Sequence, residues 1–314
     1  MAVSTADLSV SIIICTYARA DLLGKTLLSL RHVEGIGQAE VIVVDNNSPD
    51  HTAEVVRDSI NQLSGTSVHI RYLFEHRQGL SAARNTGIAA STGAIIAFLD
   101  DDAIPSPQWL NAIRQTFAED AEYAAVGGII RPHFETERPE WLIKELELPF
   151  TIVDLGNQSR LYPGRLHPFG ANMAMRRSVL DQLGLVFPEE LGRKGSSLLS
   201  GEETWVFNQM RRAGLKLRYA PGMEVTHFIM AERLSPGWIK RRYYYQGVSN
   251  AMEARGAAQR TRLVLTIAMK RIHIAFGALT SRSPGKKLLH VCRSESIRGS
   301  IDAIRSRHAT PVYE

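Results

Sequence analysis

Three consecutive carboxylates, Asp100, Asp101 and Asp102, are the residues of this chain best suited to chemistry. They follow the apolar run Ile95–Leu99, which has the length and composition of a buried strand. Neighbouring like charges are costly at such a place unless a cation offsets them. Carboxylate oxygens are the ligands that Mg²⁺ prefers, and open α/β sheets bind ligands at the carboxyl ends of their strands. The triplet therefore predicts a divalent metal site, although a solvated acidic turn ended by Pro105 explains it equally well.

Two other apolar runs also end in polar residues. The run 10–15 is followed by Thr16 and Tyr17, and the run 41–44 is followed by Asp45. Because the carboxyl ends of parallel strands lie along one edge of a sheet, these side chains should converge with the aspartate triplet. Asp45 could accept a hydrogen bond from a ribose hydroxyl or a base N–H, whereas on its own it would be taken for a turn residue. The combination favours a bound ligand.

The elements that must position these residues alternate between strand and helix. Predicted strands cover residues 10–17, 40–45, 68–73, 95–99, 126–132 and 217–227. Helical spacing covers residues 19–30, 52–63, 79–90 and 139–149, and a further helix begins at Glu202. This alternation predicts an α/β fold with a doubly wound parallel sheet. No Gly-x-Gly-x-x-Gly follows the first strand and no Gly-Lys-Ser/Thr loop is present, which argues against dehydrogenase-type and P-loop nucleotide binding.

Four segments carry a resemblance to a known family. They are Ser-Ile-Ile-Ile-Cys-Thr-Tyr-Ala-Arg (11–19), Val-Ile-Val-Val-Asp-Asn-Asn-Ser (41–48), Gly-Leu-Ser-Ala-Ala-Arg-Asn-Thr-Gly (79–87) and Phe-Leu-Asp-Asp-Asp (98–102). In this order and spacing they resemble the motifs of family 2 glycosyltransferases. The resemblance covers roughly residues 9–230. It implies a GT-A fold, with a mixed, mainly parallel sheet, and an inverting reaction.

The resemblance also implies roles for individual residues. It places Asp45 at the base of a nucleotide-sugar, Arg84 facing the nucleotide, and Asp100 and Asp101 at the ribose and donor. The other implied nucleotide-sugar contacts are Thr16, Tyr17, Arg19, Asn47 and Gly79, with Gly170, Ala171 and Asn172 beside the donor sugar. Asp102 is the implied metal ligand for Mn²⁺ or Mg²⁺, and His227 is the second metal-side candidate. A helix-surface role for Arg84, a turn role for Asn172 and a structural role for His227 stay open.

Two adjacent glutamates, Glu202 and Glu203, are the candidates for a catalytic base. In the family this position carries Glu-Asp, and the second carboxylate is the general base. The resemblance therefore implies Glu203, with Glu202 as the alternative because the second residue departs from aspartate. Acidic residues also begin helices, where they oppose the helix dipole, so a structural role is open too. A second departure is Gln209, which stands where the family often has arginine.

The last part of the chain differs in charge from the rest. Residues 232–314 contain 16 Lys and Arg against 5 Asp and Glu, a net charge of +11, which leaves 21 against 27, or −6, for residues 1–231. We therefore expect a catalytic domain over 1–231 and a basic, mainly helical extension over 232–314. Helical patterns cover 236–255 and 262–279 within the extension.

The extension mixes aromatic and cationic residues, as in Trp238 and the run 240–245. This mixture suits the headgroup region of a membrane, and no recognised nucleic-acid module is present. Lys270, Arg271 and His273 interrupt the apolar pattern, so this helix should lie on a bilayer rather than span it. We expect peripheral membrane contact through 236–314 and no nucleic-acid partner. Distant cysteines and the lack of a signal peptide pattern predict a cytoplasmic protein, peripheral on the inner face of the membrane.

These observations predict a metal-dependent, inverting transferase acting on a nucleoside-diphosphate sugar, with UDP as the first nucleotide to expect. The acceptor would be the hydroxyl of a sugar or a lipid-linked glycan, in polysaccharide or glycolipid assembly. A nucleotidyltransferase is the closer rival, but its glycine-rich, arginine-containing N-terminal loop is missing. An Asp-x-Asp phosphatase would use Asp100 and Asp102, and a non-enzymatic binding module would leave the carboxylates unexplained.

Overall fold

The computed structural model describes residues 8–195, 197–254, 261–269, 271, 274 and 283–306. The chain divides into two compact units. The second unit consists of Phe134–Phe150, Glu190–Glu202 and Ile229–Glu314, and the remaining segments form the first unit. The second unit therefore combines the C-terminal part of the chain with two segments, 134–150 and 190–202, that come earlier in the sequence. The predicted domain boundary at residue 231 stays a prediction.

The described residues form the following strands and helices. The strands are β1 (Val10–Thr16), β2 (Ala39–Asp45), β3 (Ile70–Phe74), β4 (Ile95–Leu99), β5 (Ala103–Pro105), β6 (Tyr123–Gly127), β7 (Ile130–Phe134), β8 (Arg160–Leu161), β9 (Asn172–Arg176), β10 (Lys216–Tyr219) and β11 (Val225–Ile229). The helices are α1 (Ala20–Ser29), α2 (Thr52–Gln62), α3 (Leu80–Ala90), α4 (Trp109–Glu119), α5 (Arg177–Leu183), α6 (Glu202–Arg212), α7 (Pro236–Glu253) and α8 (Pro284–Ser306). Residues 261–269 form a further helical segment.

The larger sheet has eight strands in the order β3-β2-β1-β4-β9-β6-β10-β8. The strands β3, β2, β1 and β4 run parallel, and β9 runs antiparallel to both of its neighbours, β4 and β6. The interior strands β1, β2 and β4 are almost wholly apolar and buried, because helices cover both faces of such a sheet. The predicted α/β fold with a mixed, mostly parallel sheet is confirmed.

The register of the first strands sets up one edge of this sheet. Thr16 pairs with Asp45, and Asp45 pairs with Phe74, so β1, β2 and β3 end level with one another. β4 lies on the other side of β1 and leads directly into the aspartate triplet. The predicted convergence of the strand ends therefore follows from the parallel register.

Two predicted strands were wrong because each is two strands. The predicted strand 126–132 divides into β6 in the larger sheet and β7 in a second, three-stranded sheet ordered β5-β11-β7. The predicted strand 217–227 divides in the same way into β10 and β11. Each break lies at a turn signal, Gly127-Gly128 in the first run and Pro221-Gly222 in the second, that the strand predictions passed over.

Other predictions of local structure need smaller corrections. The helical spacing at 139–149 corresponds to two short 3₁₀ helices, Lys144–Leu146 and Leu148–Phe150. The helix α4 was not predicted. Its buried residues, which include Trp109, Leu110, Ile113 and Phe117, follow the i, i+4 spacing that the sequence does contain.

The second unit is built on a close pairing of α7 with α8. A Cβ at Gly247 would lie 1.9 Å from the carbonyl oxygen of Ser296, and one at Gly299 would lie 2.1 Å from that of Tyr244. The hydroxyl of Ser300 also donates to the carbonyl of Gly247 at 2.8 Å. Glycine at these two positions lets the helix backbones approach within direct contact. Any larger residue would force the helices apart.

The helix predicted over 236–255 is confirmed as α7. The helix predicted over 262–279 is helical at 261–269, while Lys270, His273 and residues 275–279 lie outside the described residues. The long helix α8 was not predicted. Among the helices that the structure describes, none is both long enough and apolar enough to cross a membrane.

Candidate active site

The aspartate triplet lies at the end of β4, in contact with residues that follow β1. Asp101 Oδ2 accepts a hydrogen bond from the Thr16 hydroxyl at 2.8 Å. Arg19 Nη1 lies 3.2 Å from Asp101 Oδ1 and 2.7 Å from Asp102 Oδ2. Burial raises the pKa of Asp101 to about 6, against the opposing effect of the Arg19 charge. Arg19, which the resemblance assigned to the nucleotide, thus neutralises part of the acidic cluster.

The remaining part of the cluster has the ligands of a metal site. Asp102 Oδ1 lies 3.2 Å from His227 Nε2. Asp100, Asp102 and His227 each offer a ligand atom, and these atoms lie within 4.8 Å of one another. Two carboxylates and one imidazole form a donor set that suits Mn²⁺ and, less closely, Mg²⁺. The residues present therefore fit a divalent cation.

His227 reaches the triplet because β11 runs antiparallel to β5. The register pairs His227 with Ala103, one residue after the triplet, and the Phe228 N–H donates to the Asp102 carbonyl at 2.8 Å. The other imidazole nitrogen, Nδ1, lies 3.1 Å from the Thr151 hydroxyl. This second contact fixes the orientation of the ring, as is usual for a ligating histidine.

Asp45 is buried at the end of β2 and is held by two neighbours. Its Oδ1 accepts from the backbone N–H of Ser48 at 2.9 Å, and its Oδ2 accepts from the Tyr72 hydroxyl at 2.8 Å. Burial and this carboxylate together raise the pKa of Tyr72. The side chain of Asp45 is therefore rigidly placed at the level of Thr16. Its contact with a base stays a prediction.

A residue that the sequence analysis missed connects this strand end with α3. Asn46 is buried, and its Oδ1 accepts from the backbone N–H of Gly79 at 2.7 Å. Its Nδ2 donates to the carbonyl of Arg77 at 2.7 Å. Asn46 thereby fixes the start of α3, and with it the helix that carries Arg84. The position of Asn46 directly after Asp45, at the end of a predicted strand, could have indicated this role.

Arg84 and the candidate base Glu203 form an ion pair. Arg84 Nη2 lies 2.8 Å from Glu203 Oε1, and the Arg84 side chain is only 3% exposed. The guanidinium also lies over the rings of Phe98 and Phe187, at 5.7 and 5.1 Å. Arg84 is therefore not a helix-surface cation. It orients the carboxylate of Glu203 through this contact.

Gly170 lies directly against this ion pair. A Cβ at residue 170 would lie 2.0 Å from Arg84 Nη2 and 2.3 Å from Glu203 Oε1. The charges of Arg84, His227 and Glu203 also act on the pKa of Asp100, which burial and Asp102 together raise. The first unit therefore gathers the triplet, the histidine and the ion pair into a single site.

The alternative base, Glu202, has different surroundings. It is buried and belongs to the second unit, where it lies near Glu253 at the end of α7. Burial and the charge of Glu202 raise the pKa of Glu253 to about 7. Gly201, at φ +106°, permits this packing because a Cβ there would lie 2.3 Å from Glu253 Oε1. Glu202, the first residue of α6, therefore belongs to the second unit, and Glu203 belongs to the first.

The other residues that the resemblance assigns to the donor differ in their burial. Asn172 is buried, accepts from Trp109 Nε1 at 2.8 Å, and donates to the carbonyls of Ile129 and Met223 at 3.0 and 2.7 Å. Ala171 beside it is also buried. Tyr17 and Asn47 are exposed, at the ends of β1 and β2. The bonds of Asn172 hold β9 to its surroundings, and its contact with a sugar stays a prediction.

His167 is a second residue that the sequence analysis missed. Its Nε2 lies 2.9 Å from the hydroxyl of Thr204, the residue after Glu203, and its ring lies against Phe169 and Phe207. Burial lowers the pKa of His167, which favours the neutral ring. No sequence spacing indicated this contact, because the partners are 37 residues apart.

The sequence of this chain is similar to those of known proteins. The model of the Glycosyl transferase family 2 matches residues 11–184. The glucosyl-dolichyl phosphate glucuronosyltransferase of Haloferax volcanii is 25% identical over 245 residues, 77% of this chain and 76% of the relative. The succinoglycan biosynthesis protein ExoM of Rhizobium meliloti is 29% identical over 264 residues, 82% of this chain and 80% of the relative.

The fold also matches solved structures. The mannosyltransferase PcManGT of Pyrobaculum calidifontis, in complex with GDP-Man and Mn²⁺, superposes with a TM-score of 0.55 at 19% identity, over 97% of this chain and 76% of that one. This likeness shows that the fold resembles the GT-A fold. The family match covers more than half of the chain and includes β4, which leads into the triplet, whereas β11 with His227 lies beyond it. The chain belongs to glycosyl transferase family 2.

Proposed function

We propose that this glycosyltransferase is a metal-dependent, inverting enzyme that uses Glu203 as its general base. One observation carries the proposal: the ion pair of Glu203 with Arg84 belongs to the same site as the group Asp100, Asp102 and His227. A single-displacement transfer needs both functions together, a base for the acceptor and counter-charge for the leaving diphosphate. The rival phosphatase and nucleotidyltransferase interpretations do not account for the Arg84–Glu203 pair.

The chemistry of the base follows from its placement. Arg84 engages one carboxylate oxygen of Glu203, and the side chain keeps 17% of its surface exposed. Glu203 can therefore take the proton of an acceptor hydroxyl as the oxygen attacks the anomeric carbon. The new glycosidic bond forms as the bond to the diphosphate breaks, and the configuration inverts. A positioned base of this kind contributes about 10² to 10⁴ in rate.

The acidic cluster serves the other half of the reaction. Asp102, with Asp100 and His227, would hold Mn²⁺ or Mg²⁺, and a bound cation supplies charge stabilisation for the departing diphosphate. Arg19 keeps a positive charge against Asp101 and Asp102, so it limits the repulsion within the triplet. Thr16 and Asp45 would receive the nucleoside at the neighbouring strand ends.

We propose a nucleoside-diphosphate sugar as the donor and a sugar or lipid-linked hydroxyl as the acceptor. The name of the Haloferax relative gives it a glucosyl-dolichyl phosphate acceptor, which supports a lipid-linked acceptor here. The complex of PcManGT with GDP-Man supports a nucleotide-sugar donor of this class. UDP, the nucleotide first expected from the sequence, and GDP are therefore both to be tested.

The test is the slow hydrolysis of UDP-, GDP- and dTDP-sugars by the purified protein with Mn²⁺ or Mg²⁺, each repeated with EDTA. We expect release of one nucleoside diphosphate, abolished by EDTA. Transfer products analysed for anomeric configuration should show inversion. Release that is unaffected by EDTA would contradict the metal dependence. Phosphate release from simple phosphoesters, without binding of any nucleotide-sugar, would overturn the proposal.

A further inference from the structure

A long part of the second unit contains basic residues and no acidic ones. Between Glu253 and Glu295, the 41 residues 254–294 include nine Lys and Arg and no Asp or Glu. No carboxylate within this stretch of sequence offsets the charge of these cations. Such a stretch attracts an anionic surface within about 10 Å, the screening length at 0.1 M salt.

The helical segment 261–269 lies in this stretch and exposes large apolar side chains. Val264, Leu265 and Met269 are 55%, 60% and 71% exposed. Leu263 and Ile267 are half-buried, four residues apart on another side of the same helix. A helix that is apolar on its inner side normally turns a polar side to water. Here the outer side is apolar as well.

Arginines border the exposed apolar face on both sides. At about 100° per residue, Val264, Leu265 and Met269 fall on one side of the helix, with Arg262 beyond Met269 and Arg271 beyond Val264. Both arginines are exposed. Long cationic side chains at the edges of an apolar face can reach phosphate groups while the face itself enters the acyl region.

We infer that this face, formed by Val264, Leu265 and Met269 between Arg262 and Arg271, docks on an anionic lipid bilayer. Apolar area and cationic edges are the two contributions that hold an interfacial helix on such a surface. A second copy of the chain is a poorer occupant, because it would bring the same arginines together. Docking goes beyond the proposed reaction, and it would hold the enzyme at the surface where a lipid-linked acceptor resides.

The test measures sedimentation of the full-length protein with vesicles, without any sugar donor. One set of vesicles contains phosphatidylcholine alone, and the other contains phosphatidylcholine with phosphatidylglycerol. We expect binding to the anionic vesicles that weakens with added salt. Leu265→Asp should weaken this binding about tenfold or more, because it places a charge in the apolar face. Arg262→Gln should reduce the preference for anionic vesicles.

Leu148→Asp is the matched control, because Leu148 is 50% exposed in the second unit and lies outside this helix. It should bind vesicles as the wild type does. Leu265→Trp gives a direct readout, since its emission should shift to the blue on anionic vesicles. Equal binding by Leu265→Asp and Leu148→Asp, or no binding by the wild type, would overturn the inference. So would a wild-type dimer that Leu265→Asp converts to a monomer, because a second copy would then occupy the face.

Discussion

Glu202 and Glu203 are adjacent in sequence, yet they belong to different units and have different neighbours. Glu203 lies 2.8 Å from the Arg84 guanidinium in the first unit. Glu202 is buried in the second unit, near a second carboxylate, Glu253. The charge of Glu203 is therefore compensated by the guanidinium of Arg84. In the second unit, burial and the charge of Glu202 raise the pKa of Glu253 to about 7.

The difference shows that two adjacent residues of the same type can have different roles, because the fold packs different side chains beside each of them. A general base must be held in a defined orientation, and the ion pair with the buried Arg84 holds the carboxylate of Glu203. The proposal that Glu203, and not Glu202, is the base rests on this ion pair. The following experiments test this contrast, from the largest expected effect to the smallest.

Replacing the two glutamates separately should give very different enzymes. Glu203→Gln should lower the transfer rate by about 10² to 10⁴ while nucleotide binding is retained, because the base is lost and the strand ends are untouched. Glu202→Gln should keep most of the wild-type rate. Transfer is measured as initial rates with the nucleoside-diphosphate sugar that the hydrolysis test selects. Nucleotide binding is measured by calorimetry with the corresponding nucleoside diphosphate. If Glu202→Gln were the inactive variant, the two roles would have to be exchanged.

The contrast also predicts an unusual pH dependence of stability. The folded-state pKa of Glu253 is raised from 4.5 to about 7, so ionising this carboxyl destabilises the fold progressively as the pH rises through that interval. Glu253→Gln should therefore be more stable than the wild type above pH 7, by about 3 kcal/mol at 1.36 kcal/mol per pKa unit. Urea unfolding at several pH values measures the difference.

Below pH 4.5 the two proteins should be equally stable, because Glu253 is then protonated in both folded and unfolded states. A constant difference at all pH values would show that packing, and not ionisation, separates them. In that case the electrostatic contrast between the two regions would not hold.

Removing one carboxylate from the strand edge should weaken metal binding. Asp102→Asn is expected to lower the affinity for Mn²⁺ by about tenfold to hundredfold, since a ligand oxygen is replaced by a neutral amide. Calorimetric titration with Mn²⁺ measures this without any catalysis. Asp58→Asn, at an exposed aspartate of α2, is the matched control and should bind Mn²⁺ as the wild type does. An unchanged affinity in Asp102→Asn would remove Asp102 from the metal site.

The smallest expected effect comes from one methyl group at the ion pair. Gly170→Ala should lower the transfer rate by about tenfold, because the new Cβ displaces Arg84 Nη2 and Glu203 Oε1. Both atoms end flexible side chains, so the melting temperature should change little. Gly237→Ala, whose Cβ would meet only Ser235 Oγ at 4.0 Å, is the control and should keep full activity. Unfolding of Gly170→Ala without a specific loss of rate would separate Gly170 from the site.

Local pattern was sufficient for much of the fold. β4 begins and ends at the residues predicted, Ile95 and Leu99, because an apolar run between a Thr-Gly turn signal and three charges has few alternatives. The convergence of Thr16, Asp45 and the triplet also followed from alternation alone, since parallel strands share an edge. The breaks inside the runs 126–132 and 217–227 were missed although Gly127-Gly128 and Pro221-Gly222 signal turns there, and the sequence does not indicate which sheet each half joins.

The sequence by itself determined the family, the parallel strands and the acidic triplet, because these depend on residue types within single segments. Only the tertiary structure decided which charges meet. Arg84 and Glu203 are 119 residues apart, and Thr16 and Asp101 are 85 apart. It likewise placed Glu202 and Glu203, which the family motif had already ranked, in different units. Electrostatic interactions act through space, so the choice between two neighbouring carboxylates depends on what the fold packs beside each of them.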